Sequence, residues 1–392
     1  MRSGSQPLDF VIKATSRCNL NCHYCYVYNK GDDSWSHRPV IMSDDVLAAV
    51  ADRICGHIRL SGQRSVTVTF HGGEPFLIGP KRFDSWCRQL KEAIAEECDL
   101  KLVVQTNGTL INDNWCEVLL AHDVAVGVSV DGPPEVHDES RVDRRGRGSY
   151  EAVRRGIDRL TTAGLGVQIL AVIPLGFDGL EVHEHLCGLQ PSAVNYLLPD
   201  HTHETIGAVR ARYGPTPCAD FLIPIMNRWF YERWVEQKPT VMISLLWNIA
   251  VLVCGGQSEL DLLGNLPLRF VFVETDGSIE GLDVLKSCGS AWPQTGLHVS
   301  RNDFREIADG PSIHRQVMFD GFPSPAACAG CPEHPTCAGG YLPHRYSESQ
   351  QFDNPSVWCA DILELFAHAR RLLGVTPAET EALQVGRSTG PR

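Results

Sequence analysis

The chain has 392 residues, 43% of them apolar and 21% charged, a balance that gives a globular protein with ample core and room for two or three domains. Its net charge of −12 argues against general nucleic-acid binding, which needs a basic face. Residues 1–7 lack the apolar core of a signal peptide, and the longest apolar stretch, residues 241–253, is too short to span a bilayer, so a cytoplasmic protein without a membrane partner is expected.

Residues 8–14 read as a strand that leads into a cysteine-rich loop. Helical period follows over residues 43–60, with Ser43 as N-cap and Asp44 and Asp45 in the first turn. Strands are then expected at 65–71, 100–105, 124–130, 167–173 and 193–198, with helices at 81–97, 113–121, 150–163 and 180–188. Strand and helix alternate about six times, the pattern of a parallel sheet with crossover helices. Polar and glycine-rich signals fall at the C-terminal ends of the strands, where α/β barrels carry their chemistry. The spacing predicts an α/β fold built on a partial (β/α)6 barrel. Residues 204–217 look like a loop. Residues 218–253 are aromatic and helical (Phe221, Trp229, Phe230, Tyr231, Trp234, Trp247) and read as core packing more than as a groove. The expected divisions are a barrel at 8–215, a helical linker at 216–253, a cysteine-bearing domain at 254–370, and a short helix with a frayed tail at 371–392.

Fifteen cysteines are present, and their clustering is of the metal type. Cys18, Cys22 and Cys25 stand at Cys-x3-Cys-x2-Cys spacing. Three thiolates suit three corners of a cubane [4Fe–4S] cluster and leave the fourth iron open. A zinc loop is the rival reading, although zinc sites usually pair their ligands as two Cys-x2-Cys halves. Gly72-Gly73-Glu74-Pro75 follows the second strand, and Asn107, Ser129 and Arg141 stand at or beyond later strand ends. Cys328-x2-Cys331-x5-Cys337, with Cys359 beyond, forms a second cysteine run, with a zinc ribbon as its rival. Cys55, Cys87, Cys98, Cys116, Cys187 and Cys218 read as small hydrophobes, and His201 and His203 as loop or substrate-contacting residues.

The first loop and the Gly-Gly-Glu-Pro turn resemble the radical S-adenosylmethionine (SAM) family. That resemblance implies a [4Fe–4S] cluster on Cys18, Cys22 and Cys25, SAM on the open iron, and cleavage of SAM to a hydrogen-abstracting 5′-deoxyadenosyl radical. It implies that Gly72, Gly73 and Glu74 bind the SAM amino group, that Tyr24 packs near adenine, and that Asn107, Ser129 and Arg141 contact the ribose and methionine parts. The second run resembles the SPASM (twitch-type) extension and implies one auxiliary [4Fe–4S] cluster on Cys328, Cys331, Cys337 and Cys359. Tyr341 and Leu282 stand where the SPASM pattern has cysteines, which leaves Cys254 and Cys288 as the only other candidates. The first auxiliary cluster is therefore expected to be absent or unusually ligated. Asp283 matches the aspartate that acts as general base in sulfatase maturases.

Stretches around residues 197–204, 272–280 and 352–361 resemble the XYE-, GRRM- and FxsB-type peptide maturases. This implies a ribosomal precursor peptide as substrate, lying between the clusters, and an electron donor such as flavodoxin or ferredoxin. It also implies a three-residue cyclophane in which an aromatic ring carbon is joined to a β-carbon. Sulfatase-maturase-like oxidation or thioether formation is the alternative, and a non-catalytic iron–sulfur scaffold that binds peptide is the reading outside enzymes.

Overall fold

A computed structural model describes residues 6–258, 260–264 and 266–388. The first five residues of the expected N-terminus and residues 389–392 of the expected tail lie outside the described residues. The chain divides into two units by internal contacts.

The first unit comprises Met1–Val130, Pro134–Ile169 and Leu268–Asp320. It begins with β1 (Asp9–Thr15), α1 (Asp44–Ser61), β2 (Ser65–Gly72), α2 (Pro80–Ile94), β3 (Asp99–Thr106), α3 (Asp113–His122), β4 (Ala125–Ser129), α4 (Pro134–Ser140) and α5 (Tyr150–Thr162). The capping signals act as read: the Ser43 hydroxyl accepts from the Val46 amide, and Gly62 closes α1 in the left-handed region. β1 to β4 pair in parallel in sequence order. The chain leaves this unit within β5 (Val167–Val172).

In the second unit it forms α6 (Gly179–Gly188), β6 (Ala193–Leu197), α7 (Ile206–Tyr213), α8 (Pro217–Phe230), the short β7 (Met242–Ile243) parallel to β6, and α9 (Ser244–Val253). The stretch expected as a loop at 204–217 thus holds a helix, α7. Buried Ile206 anchors its first turn, and Arg210 ties it to the Val357 carbonyl. Core packing holds for Phe221 and Trp229, whereas Tyr231, Trp234 and Trp247 are exposed. Tyr231 and Trp234 lie on a π-helical turn, Tyr231–Val235, that extends α8, and Trp234 stacks against Trp247 of α9 (6.5 Å between ring centres).

The chain then re-enters the first unit with β8 (Phe270–Val273), β9 (Ser278–Glu280), β10 (Gln294–His298) and a single turn, α10 (Ile313–Arg315). β8 lies parallel to β1 on the side away from β2, and β9 and β10 continue antiparallel, making the sheet mixed. β1 is thereby flanked by strands on both sides and is buried almost throughout, Lys13 included. The second unit ends with α11 (His334–Cys337), α12 (Cys359–Leu373) and α13 (Pro377–Ser388). No helix among the described residues is long and apolar enough to cross a membrane.

Candidate active site

The cysteine loop leaves the end of β1 and is held by backbone bonds on two sides. The Asn21 and His23 amides donate to the carbonyls of Val142 and Ser140, and Ser16 donates to Val40. The Cys18 sulfur accepts from the Leu20 amide (3.4 Å) and from Asn107 Nδ2 (3.7 Å), and Asn107 also donates to Asn19 Oδ1 (2.9 Å). Burial pushes the Cys18 thiol up to about 12, with Glu74 adding to the effect, and burial likewise raises Cys25. Sulfurs in this setting hold a proton until a cation displaces it, which is the donor chemistry of a soft metal or iron–sulfur site.

The Gly-Gly-Glu-Pro turn is fastened to this loop. The Gly73 amide donates to Thr15 O and the Glu74 amide to Arg17 O, both at 2.9 Å. A Cβ on Gly72, whose φ is +130°, would fall 2.3 Å from Thr15 O, and one on Gly73 would fall 2.2 Å from Arg17 O and 2.1 Å from Tyr28 Oη. Both glycines are thus required by the approach of the chain to itself. Glu74 is 0% exposed. Its carboxylate accepts from Thr106 Oγ1 (2.7 Å), the Asn107 amide (2.8 Å) and the Phe76 amide (3.0 Å), so it clamps the end of β3 to the turn. Burial pushes Glu74 up to about 7 against these three donors.

Arg141 places its guanidinium 5.4 Å from the centre of the Tyr24 ring, which brings both residues to the cysteine loop. Asn107 joins them there through Cys18. Ser129 is bonded to Gln105 Nε2 (3.0 Å) at the neighbouring strand end.

Asp283 is buried and ion-paired with Lys13, and it accepts from Tyr26 Oη (2.8 Å). Lys13 also donates to His71 Nδ1 (3.1 Å). Burial by itself would raise Asp283, but Lys13, then Lys286 and His71, carry it below the usual carboxylate range. Burial and then Lys13 push His71 down to about 3, which keeps it neutral. Beside this group, Lys286 pairs with Glu274 and Glu280, which Arg38 also engages. Lys13, His71 and Tyr26 escaped the reading of the sequence. The available signal was a lysine inside an otherwise apolar parallel strand, a position that demands a buried partner. Leu282, where the SPASM pattern has a cysteine, is packed in the core.

In the second unit, Cys328, Cys331, Cys337 and Cys359 line one small pocket of about 20 Å³, together with His334 and Ser356. Four thiols around one pocket suit a four-ligand cluster. Tyr341 is buried beside them in sequence. His201 and His203 serve loop structure: His201 contacts Thr205 Oγ1 (3.1 Å) and His203 contacts the Pro355 carbonyl (3.0 Å). Of the six cysteines read as small hydrophobes, Cys55, Cys87, Cys116 and Cys218 are buried, and Cys98 and Cys187 are half-buried.

Residues 12–186 match the profile of the radical SAM superfamily. The chain is 35% identical over 170 residues to a serine-type anaerobic sulfatase-maturating enzyme of Bacteroides thetaiotaomicron, a match spanning 43% of this chain and 40% of that one. It is 25% identical over 375 residues to a cysteine-type anaerobic sulfatase-maturating enzyme of Clostridium perfringens, covering 94% and 98% of the two chains. Among solved structures, native anSMEcpe with bound AdoMet and Kp18Cys peptide aligns with a TM-score of 0.77 at 22% identity, over 94% of this chain and 98% of that one. Streptococcus suis SuiB bound to precursor peptide SuiA aligns at 0.59 and 15% identity, over 91% and 76%. The α/β fold is shared across these chains. The segment that matches the radical SAM superfamily, residues 12–186, holds both the three-cysteine loop and the Gly-Gly-Glu-Pro turn.

Proposed function

We propose that this chain modifies a ribosomally made precursor peptide by radical SAM chemistry, joining an aromatic ring carbon to the β-carbon of a nearby residue in a three-residue cyclophane. With a [4Fe–4S] cluster on Cys18, Cys22 and Cys25 and SAM bound beside it, the site would supply the hydrogen-abstracting chemistry of the superfamily. Tyr24, Asn107 and Arg141 meet that loop and would hold SAM; the backbone around Gly72, Gly73 and Glu74, and Ser129, would complete the set. The crosslink forms one C–C bond while a hydrogen atom, a proton and an electron leave the peptide. A one-electron donor such as flavodoxin or ferredoxin starts each turnover.

The observation that supports a radical peptide oxidation, for this reading and for the second one below alike, is Asp283. It is buried, paired with Lys13 and Tyr26, and ionised at neutral pH. A carboxylate held ionised is a weak base, and a weak base suffices for a ring proton once the ring has lost an electron. The test is co-expression with the peptide encoded beside the gene, read by mass spectrometry. A product two hydrogens lighter is expected. Asp283→Asn should lower product formation by about 10²-fold or more while SAM cleavage to deoxyadenosine continues. An unchanged peptide mass, or an Asp283→Asn variant with full activity, would count against it.

A second reading is supported by the match to the cysteine-type sulfatase-maturating enzyme over 94% of this chain. In it the same residues oxidise a Cys or Ser side chain to formylglycine. Hydrazide trapping separates the two: an aldehyde product is captured, whereas a crosslinked product is not and resists fragmentation within the ring.

A further inference from the structure

The second unit buries an arginine that has no acid against it among the described residues. Arg345 ends the short turn Leu342–Arg345 and is 0% exposed. Every hydrogen bond of its guanidinium goes to a main-chain carbonyl: Nε and Nη2 to Gly340 (2.8 and 2.6 Å), Nη2 also to Ala338, and Nη1 to Pro323 (2.7 Å). Ala338 and Gly340 lie in the turn just after Cys337, and Pro323 lies on the approach to Cys328. A Cβ on Gly339 would come within 3.1 Å of Arg345 Cζ, so the turn is wrapped closely around the guanidinium. No carboxylate pairs with Arg345 among the described residues; the carbonyls that hold it flank Cys337 and the approach to Cys328, and the Phe322 ring lies 5.6 Å from its Cζ.

A guanidinium taken out of water needs an opposing charge, and carbonyl dipoles meet that need only in part. Four thiolates around a [4Fe–4S]2+ core carry about two net negative charges, and such charge balance is one of the factors that set a cluster's potential. We propose that Arg345 is the built-in counter-charge of an anionic auxiliary cluster held by Cys328, Cys331, Cys337 and Cys359, and that it raises the reduction potential of that cluster. This rests on the reading that those four cysteines hold a cluster. The reduced form carries one more negative charge, so the cation favours it more than the oxidised form. Arg345 is a positioning residue and touches no substrate.

The test uses the full chain with Cys18, Cys22 and Cys25 changed to Ala, so that only the auxiliary site can bind iron. After anaerobic reconstitution, iron is counted and the midpoint potential is followed by electron paramagnetic resonance. Arg345→Met should lower the one-electron reduction constant tenfold or more, about 59 mV, while Arg345→Lys stays within about threefold of the parent. Should Arg345→Met fail to hold iron, retention by Arg345→Lys still supports the counter-charge. An unshifted potential in an iron-replete Arg345→Met variant would overturn it. So would an equal fall, or an equal loss of iron, in both variants, because that would assign the effect to the lost carbonyl bonds. No iron in the parent would overturn the cluster reading of the four cysteines itself, leaving the proposal for Asp283 and the first unit standing.

Discussion

Glu74 was legible in the sequence as a carboxylate at a strand end, yet its partners were not. Three donors converge on it, two of them from the end of β3, a whole crossover away. In Glu74→Gln an amide NH2 replaces one acceptor oxygen and must face a donor. The expected loss is about 1–3 kcal/mol of stability, read by denaturant unfolding. The pH dependence follows from burial. Glu74 titrates near 7 in the folded chain against an ordinary 4.5. Between those values the native state keeps a proton that the unfolded chain has lost, so this residue's contribution to stability falls as pH rises through that window. The Gln variant should lose that slope, and an unaltered slope would assign it elsewhere. Lys13 is the complementary case. Lys13→Met leaves Asp283 buried without its nearest cation and should destabilise the fold by about 3–5 kcal/mol. Adding Asp283→Leu should recover most of that loss, and a double variant as unstable as the single would show that the pair is not the unit.

At the scale of elements, most strands and helices of the first two hundred residues were legible because period and caps are local properties. Asp44–Ser61 behind Ser43 is the clearest example. α7 was missed because its one buried apolar anchor, Ile206, gives almost no amphipathic stripe. β8 was missed as a partner of β1 because a short apolar run announces neither its neighbour nor its direction. The turn after β2 is where element and site meet. In Gly73→Ala the new methyl falls on the Arg17 carbonyl, which is backbone and cannot rotate away. The turn and the cysteine loop must then separate. The expected result is a destabilisation of about 1–3 kcal/mol with loss of iron from the first site. Iron analysis beside a melting curve checks it, and full iron at unchanged stability would mean that the loop tolerates the shift.

For the whole molecule, the proposed reading puts two clusters on the two cysteine groups, one in each unit. Anaerobic reconstitution should therefore give about eight irons per chain, and about twelve would mean that a third cluster finds ligands despite Leu282 and Tyr341. Both cysteine groups were readable from the linear chain because a ligand loop is short: its spacing is set by covalent geometry before any folding occurs. The strand-end motifs were readable for the same reason. What folding alone settles is which distant groups meet. Lys13 and Asp283 are 270 residues apart and become an ion pair because β8 docks beside β1 and Asp283 follows in the same stretch of chain. Arg345 is held by the carbonyls of Ala338, Gly340 and Pro323 and faces the Phe322 ring (5.6 Å) because the turn after Cys337 closes over it. Long-range charge pairing leaves no period and no spacing in a sequence. Residues that can tune the chemistry therefore emerged from the tertiary structure, and residues that can carry it were visible beforehand.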